Sequence, residues 1–378
     1  MTPRLATTIM FVVNGAVIGT WIASLPAIQV ALGASATEIG LALLCGAAGS
    51  LVAMPLTGQL LTRVSSRRLL VVTSLVFPLL APAPLLAPST LWLGVVMLAF
   101  GAANGAMDVS MNAHGVALES ASGRSFFSSL HAGWSIGGIV GALGVGAAVG
   151  LGLAPALEAI AIGAAAWVVA LLAGRSLGHG SVATGGSTRI RLPARAVLPI
   201  GLLAITAAFV EGGLADWAGI YLRSGVGTAA EVAALGYAAF SLGMALGRLG
   251  GDATKERVGS VRMLQGGMVL VAVSVTMTLL VGNAVLALIG LVLAGLGVAN
   301  AIPQLFGAAG RIPPAGPSLS AVFTMAYTAF LLGPPIIGVA ADATGVTLAL
   351  GLTVVAALIV ASMASRVPAA ETNARFVR

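Results

Sequence analysis

Twelve apolar runs, each about long enough to cross a bilayer, dominate this sequence. They cover 5–26, 38–61, 69–88, 91–113, 128–150, 154–174, 197–221, 231–250, 262–282, 285–306, 318–340 and 346–365. A spanning helix needs roughly 20 mostly apolar residues. Backbone in lipid must satisfy its hydrogen bonds internally, so runs of this length are expected as helices. The breaks between them carry turn chemistry or charge, as in Ala87-Pro88-Ser89, Leu153-Ala154-Pro155 and Arg311-Ile312-Pro313-Pro314. The expected fold is therefore an all-α integral membrane protein of about twelve transmembrane helices. Composition agrees, since only 8% of the 378 residues are charged and 58% are hydrophobic. A soluble domain carries about 25% charged residues, so this chain could not cover a water-facing surface. The 51 glycines suit helices that approach closely in lipid. The run beginning at Leu5 is too long for a signal-peptide core and reads as the first span. The single cysteine, Cys45, excludes an intrachain disulfide.

The basic residues orient the chain. With the N-terminus in the cytoplasm, 17 of the 18 Lys and Arg residues fall on inside segments and only Arg223 falls outside. Cytoplasmic loops of membrane proteins collect Lys and Arg, and a missed or invented span would scramble this alternation. The chain is thus expected to be multi-pass in a cell inner (plasma) membrane, with both termini cytoplasmic. The net charge of +7 reflects that distribution, and no nucleic-acid partner is expected.

The longest break, 175–196, is rich in Gly and Ser and reads as a flexible linker. It divides the chain into an N-terminal six-helix bundle, 1–174, and a C-terminal six-helix bundle, 197–378. The halves echo each other. Span two opens with Ser35-Ala-Thr-Glu38 and span eight with Thr228-Ala-Ala-Glu231, both with the spacing of a capping box. Span four holds Gly101-Ala-Ala-Asn104, and span ten holds Gly297-Val-Ala-Asn300. Gly137-Gly138 with Gly141 in span five is echoed by Gly333-Pro334-Pro335 with Gly338 in span eleven. Matches in order at equivalent spans indicate duplication, and pseudo-symmetric bundles with a site between them are a transporter architecture.

Nearly the whole chain resembles the major facilitator superfamily. The superfamily's loop motif between spans two and three survives in altered form, with Gly58, Thr62 in place of Asp, Arg63, Ser65 in place of Gly, then Arg67 and Arg68. The equivalent loop of the second half reads Gly247-Arg248-Leu249-Gly250-Gly251-Asp252, then Arg257-Val258-Gly259 and Arg262. The resemblance implies ion-pair latches on the cytoplasmic side, which makes Gly58, Arg63, Arg67, Arg248, Asp252 and Arg257 the gating candidates. Further residues sharpen it: Asn104-Gly-Ala-Met-Asp108-Val-Ser-Met-Asn112-Ala-His114, Ser128-Ser129-Leu-His131-Ala-Gly-Trp134, and Phe209-Val-Glu211 through Asp216-Trp217 to Arg223. These look like the YbjJ-like branch, which is similar to the fucose permease group. That group couples protons through a span-four carboxylate four residues before an Asn, matched here by Asp108 and Asn112. Its span-one acidic residue has no match, and Asn14 stands on that span instead.

Independently of any resemblance, a carboxylate inside a span is costly and usually faces a bundle interior or a wet cavity. Asn104, Asp108 and Asn112 stand at i, i+4 and i+8, on one helix face. They could bind protons or solute, or form a packing network. Glu211 lies mid-span beside Gly212-Gly213, in the low dielectric that suits proton exchange. Asp216 lies nearer the outer end and could serve the site or simply pair with Arg223. His131 could join a proton relay with Asp108 or be a satisfied interior histidine. His114 is expected nearer the boundary and solvated. Asn14, Trp21, Asn300, Gln304 and Tyr327 could line a central cavity, the aromatic pair by stacking on a flat ligand. Pro334-Pro335 removes two backbone donors and is expected to kink span eleven.

No phosphate-binding loop and no Cys/His cluster with zinc spacing stands in the sequence. No cofactor, metal or enzymatic activity is therefore expected. The expected partners are a small-molecule solute, protons and the lipid bilayer, with the chain acting as a monomer. The leading expectation is a proton-coupled secondary transporter for a sugar-like or other polar solute. A drug exporter of the same fold, a membrane enzyme acting on lipid and a non-transporting sensor stay open.

Overall fold

The computed structural model describes residues 1–123, 126–180, 197–313 and 315–366, without the side chains of Ser128, Asp252, Ala315 and Gly316. It is all-helical, and twelve of its helical segments are long and apolar enough to cross a membrane. The first six are α1 (Pro3–Leu32), α2 (Ala36–Leu60), α3 (Ser66–Val76, continued by 3-10 turns to Leu86), α4 (Thr90–Ser122), α5 (Phe127–Gly150) and α6 (Pro155–Gly174). The second set comprises α7 (Leu198–Ile220), α8 (Ala230–Val258), α9 (Ser260–Val281), α10 (Ala284–Val298) with α11 (Ala301–Ala309), α12 (Ala315–Thr344) and α13 (Val346–Met363). Helices α10 and α11 together make the tenth span, interrupted at Ala299-Asn300.

Local chemistry explains several of the ends. Thr2, Ser35, Ser89 and Asn283 cap the first turns of α1, α2, α4 and α10 through their side-chain oxygens. Ser35 and Glu38 form the expected capping box. The Thr228–Glu231 box does not form, because α8 begins one residue late, with Ala229 at its cap. The Thr228 hydroxyl instead donates to Leu222 O at 2.9 Å and closes the π turn that ends α7. Span three loses α-geometry where Pro78, Pro82 and Pro84 remove backbone donors. Pro334 and Pro335 lie inside one continuous helix. Helices α4 and α8 run well past their apolar stretches, and α8 carries exposed Lys255, Glu256 and Arg257 on its extension.

Helices α1, α4 and α5 pack together with α2, α3 and α6 around them, and α7 to α13 form a second set. The two sets join chiefly through α5 on α8 and α2 on α12. We call the end that carries Arg4 and the α2–α3 turn the N-terminal face. The glycines at the join approach their partners on the other half of the molecule. A methyl at Gly40 would meet Pro334 O at 2.7 Å, one at Gly338 would meet Ala36 O at 2.5 Å, and one at Gly146 would meet Glu231 O at 3.3 Å. Small residues are what allow helices in lipid to come this close. At the same end, the Asp342 carboxylate of α12 accepts the backbone N–H groups of Ala36 and Thr37 at 2.9 and 2.8 Å. A negative side chain from one half thus sits on the positive end of a helix in the other. The halves are sealed at the face opposite the N-terminal one.

Candidate functional site

A cavity of about 340 Å³ lies between the two sets of helices. Its walls come from α1, α2, α4, α5, α7 and α12. Asp108 and Asn104 face it from α4, Trp21 from α1, Asp216 from α7 and Tyr327 from α12. The structure thus brings five of the expected site residues to one space, with one carboxylate from each half. Trp21 packs tilted on Phe100 at 5.9 Å, and Phe100 is backed by Phe77 at 5.0 Å, so one wall is built of aromatic rings. Tyr327 is flanked by Phe323 and Phe330 on its own helix.

Hydrogen bonds hold the α4 stripe in place. Asn112 donates from Nδ2 to both the carbonyl and the carboxylate Oδ1 of Asp108, at 2.8 and 3.0 Å. It does not line the cavity; it fixes the carboxylate one turn away. Asn14 is buried on α1 and ties three helices together. Its Nδ2 donates to Asn104 Oδ1 at 3.0 Å, and its Oδ1 accepts the Trp134 indole N–H at 2.7 Å. Trp134 itself lines the cavity. Asp216 does not pair with Arg223, whose guanidinium donates to Thr228 O at 2.7 Å. Among the described residues the Asp216 carboxylate has no hydrogen-bond or ion-pair partner.

Glu211 stands outside the cavity lining and meets Arg248 of α8 at 3.4 Å. Arg248 also donates to Ser135 Oγ of α5 at 3.3 Å. Arg248 therefore departs from its expected place in a surface gate, because it turns inward and links α7, α8 and α5. Among the described residues this is the sole ion pair. Arg63, Arg67 and Arg257 are exposed without one among the described residues, and a methyl at Gly58 would meet nothing within 4 Å. The Asp252 side chain lies outside the described residues. No cytoplasmic latch is formed among the described gating candidates, since Thr62 supplies no charge and its hydroxyl donates to Gln59 O.

Two other expectations are corrected, those for Asn300 with Gln304 and for His114. Asn300 and Gln304 do not reach the central cavity. They line a separate cleft between α8, α9 and the α10–α11 break, where Asn300 donates to Gly247 O at 2.7 Å. Their duplicate-half position resembles that of Asn104, but the break at Ala299-Asn300 turns them toward α8. His131 has no hydrogen bond to Asp108 and lies edge-on to Phe11 and Phe127, at 5.2 and 5.1 Å. His114 is fully buried rather than solvated, bonded to Ser66 Oγ at 3.3 Å and Leu177 O at 2.9 Å. Sequence reasoning also passed over Glu158 of α6, buried with Oε1 accepting from Thr20 Oγ1 at 3.2 Å. The signal was available, as it is an acidic residue inside an apolar run. Trp134 and Ser135 gave no such signal, because their importance lies in partners on other helices.

Residues 7–315 match the profile of the Major Facilitator Superfamily. The chain belongs to that superfamily. Over 366 residues this transporter is 33% identical to an uncharacterised MFS-type transporter of Yersinia pestis, covering 96% of this chain and 95% of that one. It is 32% identical over 364 residues to the membrane protein MosC of Rhizobium meliloti, covering 94% and 88%. Among solved structures, the transporter superposes on a bacterial homologue of the human lysosomal transporter Spinster in an inward-facing, occupied conformation. That match has a TM-score of 0.75 and 16% identity, and covers 96% of each chain. A variant of the nucleoside transporter NupG matches with a TM-score of 0.77 and 14% identity, covering 96% of this chain and 99% of that one. At such identities the structural likeness carries the fold alone.

Proposed function

We propose that this superfamily transporter is a proton-coupled secondary carrier of a small organic solute, working by alternating access between bundles 1–174 and 197–378, with 175–196 as their linker. One observation carries the reading: Asp108 and Asp216, one from each half, face the same cavity. A site shared by both halves changes shape when the halves rock, and a carboxylate in low dielectric exchanges protons with large energetic effect. The bonding of Asn112 to Asp108 favours the YbjJ-like, fucose-permease-similar branch at this position, while the span-one acid of that group is replaced here by Asn14. The alternation of basic residues supports an inner-membrane chain with cytoplasmic termini. In that orientation the sealed face is external.

The test is flux. Proteoliposomes loaded with a pH-sensitive dye are challenged with a library of sugars, amines, nucleosides and carboxylates. A transported solute moves protons in the wild type, and D108N loses the proton movement while remaining folded and monodisperse. Solute accumulation without proton movement overturns the coupling. An absence of any flux across the library favours the sensor reading.

A further inference from the structure

The central cavity carries one sign of charge. Asp108 and Asp216 face it, and none of the described residues that line it is Lys, Arg or His. Arg248, the basic residue turned into the helix interior, is already matched by Glu211. Apart from Asn104 and Ser50, the remaining walls are apolar or aromatic, with Trp21, Trp134, Tyr327 and Phe330 among them. Two carboxylates held this way repel an anion and gain little from a neutral solute. An isolated charge in such surroundings is stable only with a counter-charge or a bound proton. Aromatic faces add attraction for a cation. Asp216 is the more telling of the two, because its oxygens have no donor among the described residues, whereas Asp108 has Asn112.

We infer that the solute is a compact organic cation, a protonated amine, held between Asp108 and Asp216 with its apolar body against the ring-lined wall. This rests on the central cavity being the solute site. A volume of about 340 Å³ is at the small end of ligand pockets, which span roughly 300–1,000 Å³. The sense of coupling follows. An ammonium and a proton are alternative partners for the same carboxylates, so the amine enters as a proton leaves, and the carrier is an exchanger. The titratable groups around the pair are few: Tyr327 on α12 near Asp108 and Tyr237 on α8 near Asp216, with the Arg248–Glu211 pair beside Tyr237 in turn. None of the described lining residues of α1, α2 or α5 titrates in the ordinary range.

The experiment uses sets of matched probes on the purified full chain. Phenethylamine is compared with 2-phenylethanol and 3-phenylpropionate, and tryptamine with tryptophol and indole-3-propionate, by thermal shift as pH is raised. A ligand that binds the folded state raises its apparent stability by mass action. The amines are expected to stabilise, more strongly at higher pH where protons no longer compete, and the alcohols and carboxylates are not. D216N, checked for folding by its elution and melting, weakens amine affinity about tenfold or more. Equal stabilisation by the alcohols or carboxylates, undiminished amine binding in both D216N and D108N, or no amine binding at all overturns the assignment. An anion or neutral solute that binds and is carried retires the cation and leaves the transport reading standing. That reading fails only on the flux result.

Discussion

Asn14 uses both ends of its amide, giving a hydrogen to Asn104 and taking one from Trp134. Three helices, α1, α4 and α5, are held in register at the cavity wall by this single side chain. Replacing it with Ala strands a partly buried indole N–H and an amide oxygen, each of which costs up to about 1–3 kcal/mol when left without a partner. N14A should therefore lower the thermal unfolding temperature in detergent more than W134F does. The Phe variant removes a donor but keeps most of the ring and strands only one acceptor. Equal melting of the two variants would mean that the network is slack. The residue scale is also where the sequence was least legible. Asp108 announces itself, since a carboxylate in an apolar helix has few benign readings. The partner of Glu211 does not, because Arg248 is 37 residues away and meets it only through the packing of α7 on α8.

At the scale of elements, the join of α2 and α12 is set by what is missing from Gly40. Its Cα lies against the backbone of Pro334 and Pro335, and an added methyl would come within 2.9 Å of Pro335 Cα. That neighbour is backbone and has no side chain to swing aside. Leu at this position should wedge the two helices apart and populate the state in which this face is open. In a C45A background, T37C should then react faster with a membrane-impermeant maleimide in G40L than in the Gly40 parent. Unchanged labelling would show that the seal is held elsewhere, at α5 and α8. Twelve helices with their order and approximate ends were readable from apolar runs and breakers, because lipid forces every crossing to declare itself in about 20 residues. What composition could not supply is the difference between duplicated positions. Asn104 and Asn300 share a sequence neighbourhood, yet the break at Ala299-Asn300 sends the second to a different cleft.

On the scale of the whole molecule, the closed face and the shared cavity make a single mechanical statement. The proposed alternating access would require the seal at α2 and α12 to break once per cycle, and the Asp342 carboxylate on the first turn of α2 is part of that seal. The Asp342 side chain is exposed to solvent, so its individual contribution is modest and reversible. Such weakness suits a contact that must open repeatedly. Linking the two positions covalently removes the opening without touching the cavity. In a C45A background, A36C and D342C joined by a short thiol cross-linker should bind solute from the N-terminal face yet carry none across the membrane. Flux should return when a cleavable linker is cut. Transport that persists at full cross-linking would mean that the halves do not separate along this seam, and that the solute reaches Asp108 and Asp216 by another route.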